Sequence, residues 1–172
     1  MTNLVTKDSF VGLIEVDTSD DVNVIPYLNS IITQKEPDII ADLFGETEVD
    51  DIYTKMQSIS ISNLLKVFRD GGKFTYNGET FVTKGLIFTL ANFMYYYYQN
   101  TKITKETPTG FMRLESSSQD SNSVFDSVKV CNAWNTGNKE SCKLHLFVIA
   151  NPTLFQSTIQ SNIHETINSF GI

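Results

Sequence analysis

The chain has 172 residues, 41% of them hydrophobic, and a formal charge of −7 from 13 basic and 20 acidic side chains. This length supports one domain with a substantial core, and the hydrophobic content excludes a compositionally disordered chain. Because the basic residues are scattered, sequence-independent DNA binding through clustered Lys and Arg is excluded as well.

The N-terminal segment predicts an arm rather than a leader peptide. Residues 1–20 have no basic region followed by an apolar stretch, so no signal peptide is expected. No apolar run in the sequence is long enough to cross a bilayer, so no membrane span is expected. We expect this segment to form an arm or a short strand, in a protein that is made and kept in a reducing cytoplasm.

Apolar spacing predicts several helices before residue 71. One helix begins near Val24 and is expected to end where Pro37 interrupts it. A further helical stretch follows and is capped by Gly45. Two more short helices are predicted between 47 and 70, with Ser60 or Ser62 as the cap of the second.

Residues 73–82 predict a β-hairpin. Aromatic residues alternate with polar ones on both sides of Asn77-Gly78, and an Asn-Gly pair favours a tight turn in which both residues need positive φ. An isolated hairpin is marginal in water, so this one must pack on something. Two interpretations stay open: its aromatic side chains contact a neighbouring chain, or they fold onto the protein's own helices.

The next helix, from Gly85 to Tyr98, is apolar or aromatic on almost every side. A helix without a polar face must be covered all round, so we expect it to be the central helix of the fold. The side formed by Leu86, Leu90, Phe93 and Tyr97 is expected to lie in the core. Tyr95, Tyr96 and Tyr98 cannot all share that side, so one or more of them are expected to meet another subunit.

The C-terminal part predicts a long connection and three helices. Residues 102–123 are expected to form a long polar loop, followed by a helix over 124–134. A break is expected at 135–138, then a helix over 141–150 and an amphipathic helix over 155–170. The predicted fold is therefore mainly α, a single domain over 1–172 with a helical bundle around the central aromatic helix and a protruding β-hairpin.

Residues with the chemistry of an active or metal site are sparse. His145 lies three residues after Cys142 on one predicted helix face, but no third ligand has a suitable spacing. We interpret this pair as structural, His164 as part of a solvated face, and Cys131 with Cys142 as reduced thiols rather than a disulfide. No enzyme, metal or cofactor is predicted. A small hydrolase would need a pocket that joins a histidine to a carboxylate and a nucleophile.

The order of these segments resembles a known family. Leu43-Phe44-Gly45 is followed by a short helix containing Tyr53 and by a hairpin that leads into the aromatic helix. The later segments are Thr107-Pro108-Thr109-Gly110-Phe111, Cys131-Asn132-Ala133-Trp134-Asn135 and Ile167-Asn168-Ser169-Phe170-Gly171-Ile172. Over residues 22–172 the chain is similar to the head–tail connector (adaptor or head completion) proteins of tailed bacteriophages, especially those of crAss-like and other Bacteroidetes phages.

This resemblance implies a structural virion protein without catalytic residues. In that family a helical bundle with a protruding β-element assembles into a ring, usually of twelve subunits, beneath the portal. The ring contacts the portal and another connector or tail protein, and DNA passes through its channel without specific binding. The implied location is the neck of the virion, after assembly in the cytoplasm of the host bacterium.

Candidate contacts with other subunits or partners follow from the resemblance together with the exposed aromatic segments. They are Phe74, Tyr76, Asn77, Gly78, Phe81, Tyr96, Tyr98, Phe111, Phe170 and Ile172. Net negative charge suits a channel wall past which DNA slides. The alternative interpretation is a monomeric helical binding or adaptor module for another protein, without catalysis.

Overall fold

The computed structural model describes residues 2–16, 23–58, 60–107, 110–113 and 121–155. Two 3-10 turns, Lys7–Ser9 and Gly12–Ile14, precede the first helix. The elements are α1 (Val24–Phe44), α2 (Val49–Met56), α3 (Asn63–Asp70), β1 (Gly72–Tyr76), β2 (Glu79–Thr83), α4 (Gly85–Ile103), β3 (Thr104–Thr107), β4 (Gly110–Arg113) and α5 (Ser121–Ala150). The prediction of a mainly helical fold with an antiparallel hairpin is confirmed.

Helix α4 is surrounded by other helices. It packs most extensively against α5, and it also packs against α1 and α3. Leu86, Leu90 and Phe93 are completely buried. The all-round apolar character of this helix is therefore explained by three neighbouring helices, as expected for a central helix.

Helix α1 runs unbroken through Pro37, so the expected interruption there is wrong. A proline within a helix removes one backbone hydrogen bond, here the one to the carbonyl of Thr33, which lies at an exposed position. Water can solvate that carbonyl. The turns on both sides of Pro37 bury apolar side chains, among them Ile32 and Ile40, and this burial holds them in one helix.

The β1–β2 hairpin is confirmed and is one residue longer at each end than expected. Phe74 pairs with Phe81, and Gly72 pairs with Thr83 at the base. Asn77 and Gly78 have φ values of 49° and 82°, so both turn residues lie in the left-handed region that the Asn-Gly pair predicts.

The segment 102–123 is not one loop. Helix α4 continues to Ile103, and strands β3 and β4 form a second antiparallel hairpin in which Thr104 faces Arg113. Helix α5 already begins at Ser121, and residues 114–120 lie outside the described part of the chain. Pro108 and Gly110 are residue types typical of turns, and Thr and Phe are favoured in strands, a hairpin signal that the polar composition of the segment obscured.

Helix α5 is a single helix, so the predicted break at 135–138 is wrong as well. Gly137 was expected to end a helix, but its Cα instead faces the ring of Phe93 on α4. A glycine inside a helix costs about 1 kcal/mol relative to alanine. Close packing between α4 and α5 accounts for its position. The last predicted helix, over 155–170, lies outside the described residues apart from Phe155.

The N-terminal arm contains 3-10 turns rather than the strand that was the other expectation. Its side chains Val5, Phe10 and Ile14 are buried in the common core. The backbone amides of Leu4 and Val5 donate to the carboxylate of Glu36 on α1, each at 2.8 Å. The arm up to residue 16 therefore belongs to the domain, and residues 17–20 lie outside the described part.

Candidate interaction surfaces

The β1–β2 hairpin has one packed face and one exposed face. On the packed face, Phe74 stacks on Phe81 with ring centroids 5.5 Å apart and meets the edge of Phe147 on α5 at 5.3 Å. Such aromatic pairs hold the hairpin against the helices. The opposite face carries Lys73, Thr75, Thr80 and Val82, all of them exposed.

The packed face changes the set of candidate contact residues. Phe74 is buried within its own chain, so the expectation that it contacts another subunit is wrong. Tyr76 and Phe81 are half-buried, and the turn residues Asn77 and Gly78 are exposed. Val82, which sequence reasoning did not select, is 55% exposed and is the large apolar side chain of the outer face. Its alternation with Phe81 along β2 is the signal that could have found it.

An aromatic cluster, formed by Phe93, Tyr96, Tyr97 and Trp134, joins α4 to α5. Trp134 contacts the other three rings, most closely Tyr96 at 4.6 Å between centroids. Tyr96, Tyr97 and Trp134 are half-buried, so part of each ring meets solvent. Half-exposed Tyr and Trp are the side chains most enriched in the cores of protein interfaces.

The tyrosines of α4 are placed differently from the expectation. Tyr98 is 1% exposed and packs on Tyr27 of α1 at 5.9 Å, so its predicted contact with another subunit is wrong. Tyr95 is also buried, whereas Tyr97 is only half-buried. Tyr98 was expected at an interface and is buried, whereas Tyr97 was expected in the core and is half-buried. The reason is that helix α1 packs against the side of α4 that carries Tyr98. Tyr96 keeps its place as a candidate contact.

Tyr97 lies near two carboxylates of α1, those of Asp42 and Asp38. Burial raises the pKa of its hydroxyl, and the nearby charges of Asp42 and Asp38 on α1 raise it further. The ammonium of Lys35 stands 5.6 Å from the centre of the same ring. Tyr97 therefore stays protonated as a hydrogen-bond donor at the edge of the aromatic cluster.

Three further candidate residues lie in β4 or outside the described part of the chain. Phe111 belongs to β4 and pairs through its backbone with Glu106 of β3. Phe170 and Ile172 lie outside the described residues. Their predicted contacts stay predictions.

A groove of about 400 Å³, here called the arm groove, lies between the N-terminal arm and helices α4 and α5. Its walls are residues 11–14 of the arm, then Lys84, Phe88 and Asn92, and the part of α5 from Val128 to Thr136. At its rim, Val11 and Leu13 are 61% and 81% exposed. Sequence reasoning missed this groove because its three walls come from segments far apart in the chain.

The arm groove has a positive wall. Lys84 and Lys129 line it, and no Asp or Glu is among the described residues that do. The ammonium of Lys84 stands over the ring of Phe88 at 4.4 Å, an arrangement typical of a cation–π contact. The backbone of Lys84 is fixed in turn, because its amide donates to the buried carboxylate of Glu140 at 2.9 Å.

Glu36 holds the arm that forms one wall of this groove. Its buried carboxylate accepts from the two arm amides and from the hydroxyl of Tyr53, at 2.7 Å. Burial raises the pKa of Glu36, and these hydrogen bonds oppose that rise. Burial, together with the Glu36 carboxylate, raises the pKa of Tyr53. These contacts are structural and connect α1, α2 and the arm.

His145 also has a structural contact. Its Nε2 lies 2.7 Å from the backbone carbonyl oxygen of Leu43 in the last turn of α1, so the neutral ring donates there. Burial lowers the pKa of His145. Cys131 and Cys142 are not joined in a disulfide. In the described ranges no group of three His, Cys, Asp or Glu side chains is close enough to hold a metal ion.

Comparisons with protein families, with curated proteins and with solved structures gave no match to this chain. Within the part of the chain that is described, no helix is both long and apolar enough to span a membrane. The candidate surfaces are therefore interpreted from their own geometry: the outer hairpin face, the aromatic cluster and the arm groove.

Proposed function

We propose that this protein is a structural virion protein, one subunit of an oligomeric ring that joins the capsid portal to the tail and continues the DNA channel. The order of its sequence segments resembles that of head–tail connector proteins. The observation that carries the proposal is the β1–β2 hairpin, which is anchored on one face and exposed on the other.

The anchoring matters because a contact element must hold its shape. Phe74 fixes the packed face on Phe147, while Val82 and the turn at Asn77 remain exposed. Each hairpin among the described residues has only two strands, so its outer edges are unpaired within the sheet. Unpaired edges of this kind are suited to pairing with another chain.

A ring needs two different patches on each subunit, because each contact is heterologous. The outer hairpin face supplies one patch. The aromatic cluster around Trp134 supplies a second on another part of the surface, with Tyr96 and Tyr97 half-exposed beside it. A ring closes when one patch of each subunit binds the other patch of its neighbour, so two separate patches with different chemistry meet this requirement.

The charge of the chain supports the same proposal. A net charge of −7 disfavours tight contact with phosphates, and the few basic residues are spread along the sequence. A wall of this charge lets DNA move past without holding it.

Electron microscopy and native mass spectrometry test the proposal directly. We expect rings of the concentrated protein, or rings on its cognate portal, with little change in helical content. Val82→Glu is expected to weaken assembly, whereas Leu64→Glu, at a 48% exposed position on α3, serves as the matched control. Deletion of Thr75–Thr80 is expected to leave a folded monomer. A protein that stays monomeric with its portal at every salt concentration would contradict the proposal.

The alternative proposal is a monomeric helical binding or adaptor module without catalysis, and the arm groove is the observation that favours it. A module of this kind would bind a partner through the groove and form no ring. Neighbouring genes for portal, capsid and tail proteins would favour the connector over this alternative.

A further inference from the structure

We propose that the arm groove is a docking site for a short acidic and apolar peptide segment of a partner protein. The proposal goes beyond ring assembly and does not depend on it, because the residues that line the groove belong to one chain. Its three walls are the arm, the start of α4 and the middle of α5.

The size and rim of the groove fit a peptide. A volume of about 400 Å³ lies in the range of specific ligand sites, which is about 300–1,000 Å³, and holds a few side chains. Leu13 is 81% exposed beside the opening, and Val11 is 61% exposed. Covering these two side chains with an apolar partner removes them from water, which is favourable.

The charge of the groove selects an acidic partner. The protein as a whole carries −7, yet Lys84 lines the groove and no described carboxylate does. Phe88 holds the ammonium of Lys84 at the groove wall, at 4.4 Å from its ring centre. An Asp or Glu of the partner would meet this ammonium, whereas a basic segment would be repelled.

The polar groups of the α5 wall favour a peptide over a simple alkyl carboxylate. Asn132 and Thr136 are among the residues that line the groove, and their side chains carry an amide and a hydroxyl. An alkyl chain lying on them would remove water without replacing its hydrogen bonds, which is costly. A peptide has a donor and an acceptor at each residue and can pair with both groups.

The test is selection of binders from a random short-peptide display library on the full chain. We expect the enriched peptides to combine Asp or Glu with Leu, Ile or Phe. One enriched peptide is then synthesised with a fluorescent label, and its binding is measured by polarisation at a protein concentration where the chain is monomeric. Failure of ring assembly leaves this measurement unaffected, so the two proposals fail separately.

Matched variants locate the binding. Lys84→Gln is expected to weaken the labelled peptide about tenfold, the loss of one charge pair of ordinary strength. Lys66→Gln, at an exposed position on α3, is expected to have no effect. Leu13→Ser is expected to weaken binding by a similar factor, and Leu64→Ser to leave it unchanged. All four positions are exposed, so circular dichroism is expected to show the same helical content in each variant.

Three results would overturn the proposal. The first is enrichment of basic or uncharged peptides, which would contradict the argument from charge. An equal enrichment on the double variant Leu13→Ser and Lys84→Gln would do the same. Binding that neither single variant weakens places the peptide elsewhere. Decanoate that binds in the groove while the acidic peptides do not would assign the site to a small amphiphile instead.

Discussion

The ring of Phe93 on α4 lies directly against the backbone of Gly137 on α5. A Cβ atom at Gly137 would stand 3.0 Å from two carbons of that ring. Phe93 also meets Trp134, one turn away on α5, edge to face at 5.1 Å. The absence of a side chain at Gly137 therefore sets how closely the two central helices approach, and with it the position of the aromatic cluster.

Gly137→Ala is expected to lower the free energy of unfolding by up to about 2 kcal/mol. Alanine improves helix propensity by about 1 kcal/mol, but overpacking of a filled core costs about 1–3 kcal/mol. Urea unfolding followed by circular dichroism measures the balance. The exposed Lys139→Ala on the same helix is the control and is expected to change stability by less than about 0.5 kcal/mol. A stabilised Gly137→Ala protein would show that the helices are not in tight contact here.

The Glu36 carboxyl group is expected to make the stability of the folded protein depend on pH. Burial raises the pKa of Glu36 above its ordinary value of 4.5, so the folded state binds the proton more readily than the unfolded state. The stability from this group is therefore fully present below about pH 4.5 and is lost as the pH rises through the folded pKa. We call this loss of stability with rising pH the Glu36 step. It is measured by urea unfolding at a series of pH values, and it is expected to be absent from the Glu36→Gln variant.

The same variant is expected to cost stability at low pH. The NH2 group of Gln cannot accept a hydrogen bond, whereas both oxygens of the protonated carboxyl group can, so the backbone amides of Leu4 and Val5 cannot both keep an acceptor in the variant. An unpaired buried donor costs about 1–3 kcal/mol. Glu15→Gln, at an exposed position of the arm, is the control and is expected to leave the step in place. Tyr53→Phe removes a hydrogen bond that lowers the pKa of Glu36, so it is expected to move the step to higher pH.

The features that sequence could predict are local ones. The turn at Asn77-Gly78 was predicted because its backbone conformation depends on those two residues alone. Helix α3 was predicted because Ser62 caps it, accepting from the amide of Leu65 at 3.3 Å. The central place of α4 was predicted because an apolar helix must be covered wherever it lies.

The features that sequence did not predict depend on contacts between distant segments. Gly137 and Pro37 are helix breakers by propensity, and tertiary packing overrides both. Glu36 shares a helix face with Ile32 and Ile40, so a buried carboxylate could have been suspected, but its donors at Leu4 and Val5 are set by the path of the arm. The arm groove could not be predicted at all, because no single segment contains it.

His145 predicts a loss of stability on the acid side. Burial lowers the pKa of His145 below its ordinary value of 6.5, so its contribution is present above about pH 6.5 and is lost as the pH falls through the folded pKa. His145→Leu is expected to remove this loss, because the buried group no longer has to bind a proton.

At neutral pH the same His145→Leu variant is expected to be less stable by about 1–3 kcal/mol, because the carbonyl of Leu43 loses its donor. Thermal or urea unfolding between pH 5 and pH 8 measures both effects, and the gap between variant and wild type is expected to narrow toward acid. His164→Asn keeps His145 and is expected to keep the acid loss. A gap of constant size would show that His145 does not titrate in this range.

Gly85, the first residue of α4, predicts the largest loss of stability from a small substitution. It has a φ of 85°, and a Cβ there would lie 2.4 Å from the backbone nitrogen of Gly71 and 2.6 Å from the carbonyl oxygen of Arg69. Gly85→Ala therefore forces apart the two chain segments that cross at the base of the hairpin, in addition to straining the backbone.

Gly78→Ala is the matched control, because φ is 82° there and no described atom lies within 4 Å of the added Cβ. We expect Gly78→Ala to cost about 1–2 kcal/mol from backbone strain alone, and Gly85→Ala to cost at least about 2 kcal/mol more, as overpacking against a rigid backbone does. Equal losses in urea unfolding of the two variants would show that the crossing of Gly71 and Gly85 does not hold the hairpin to the helices.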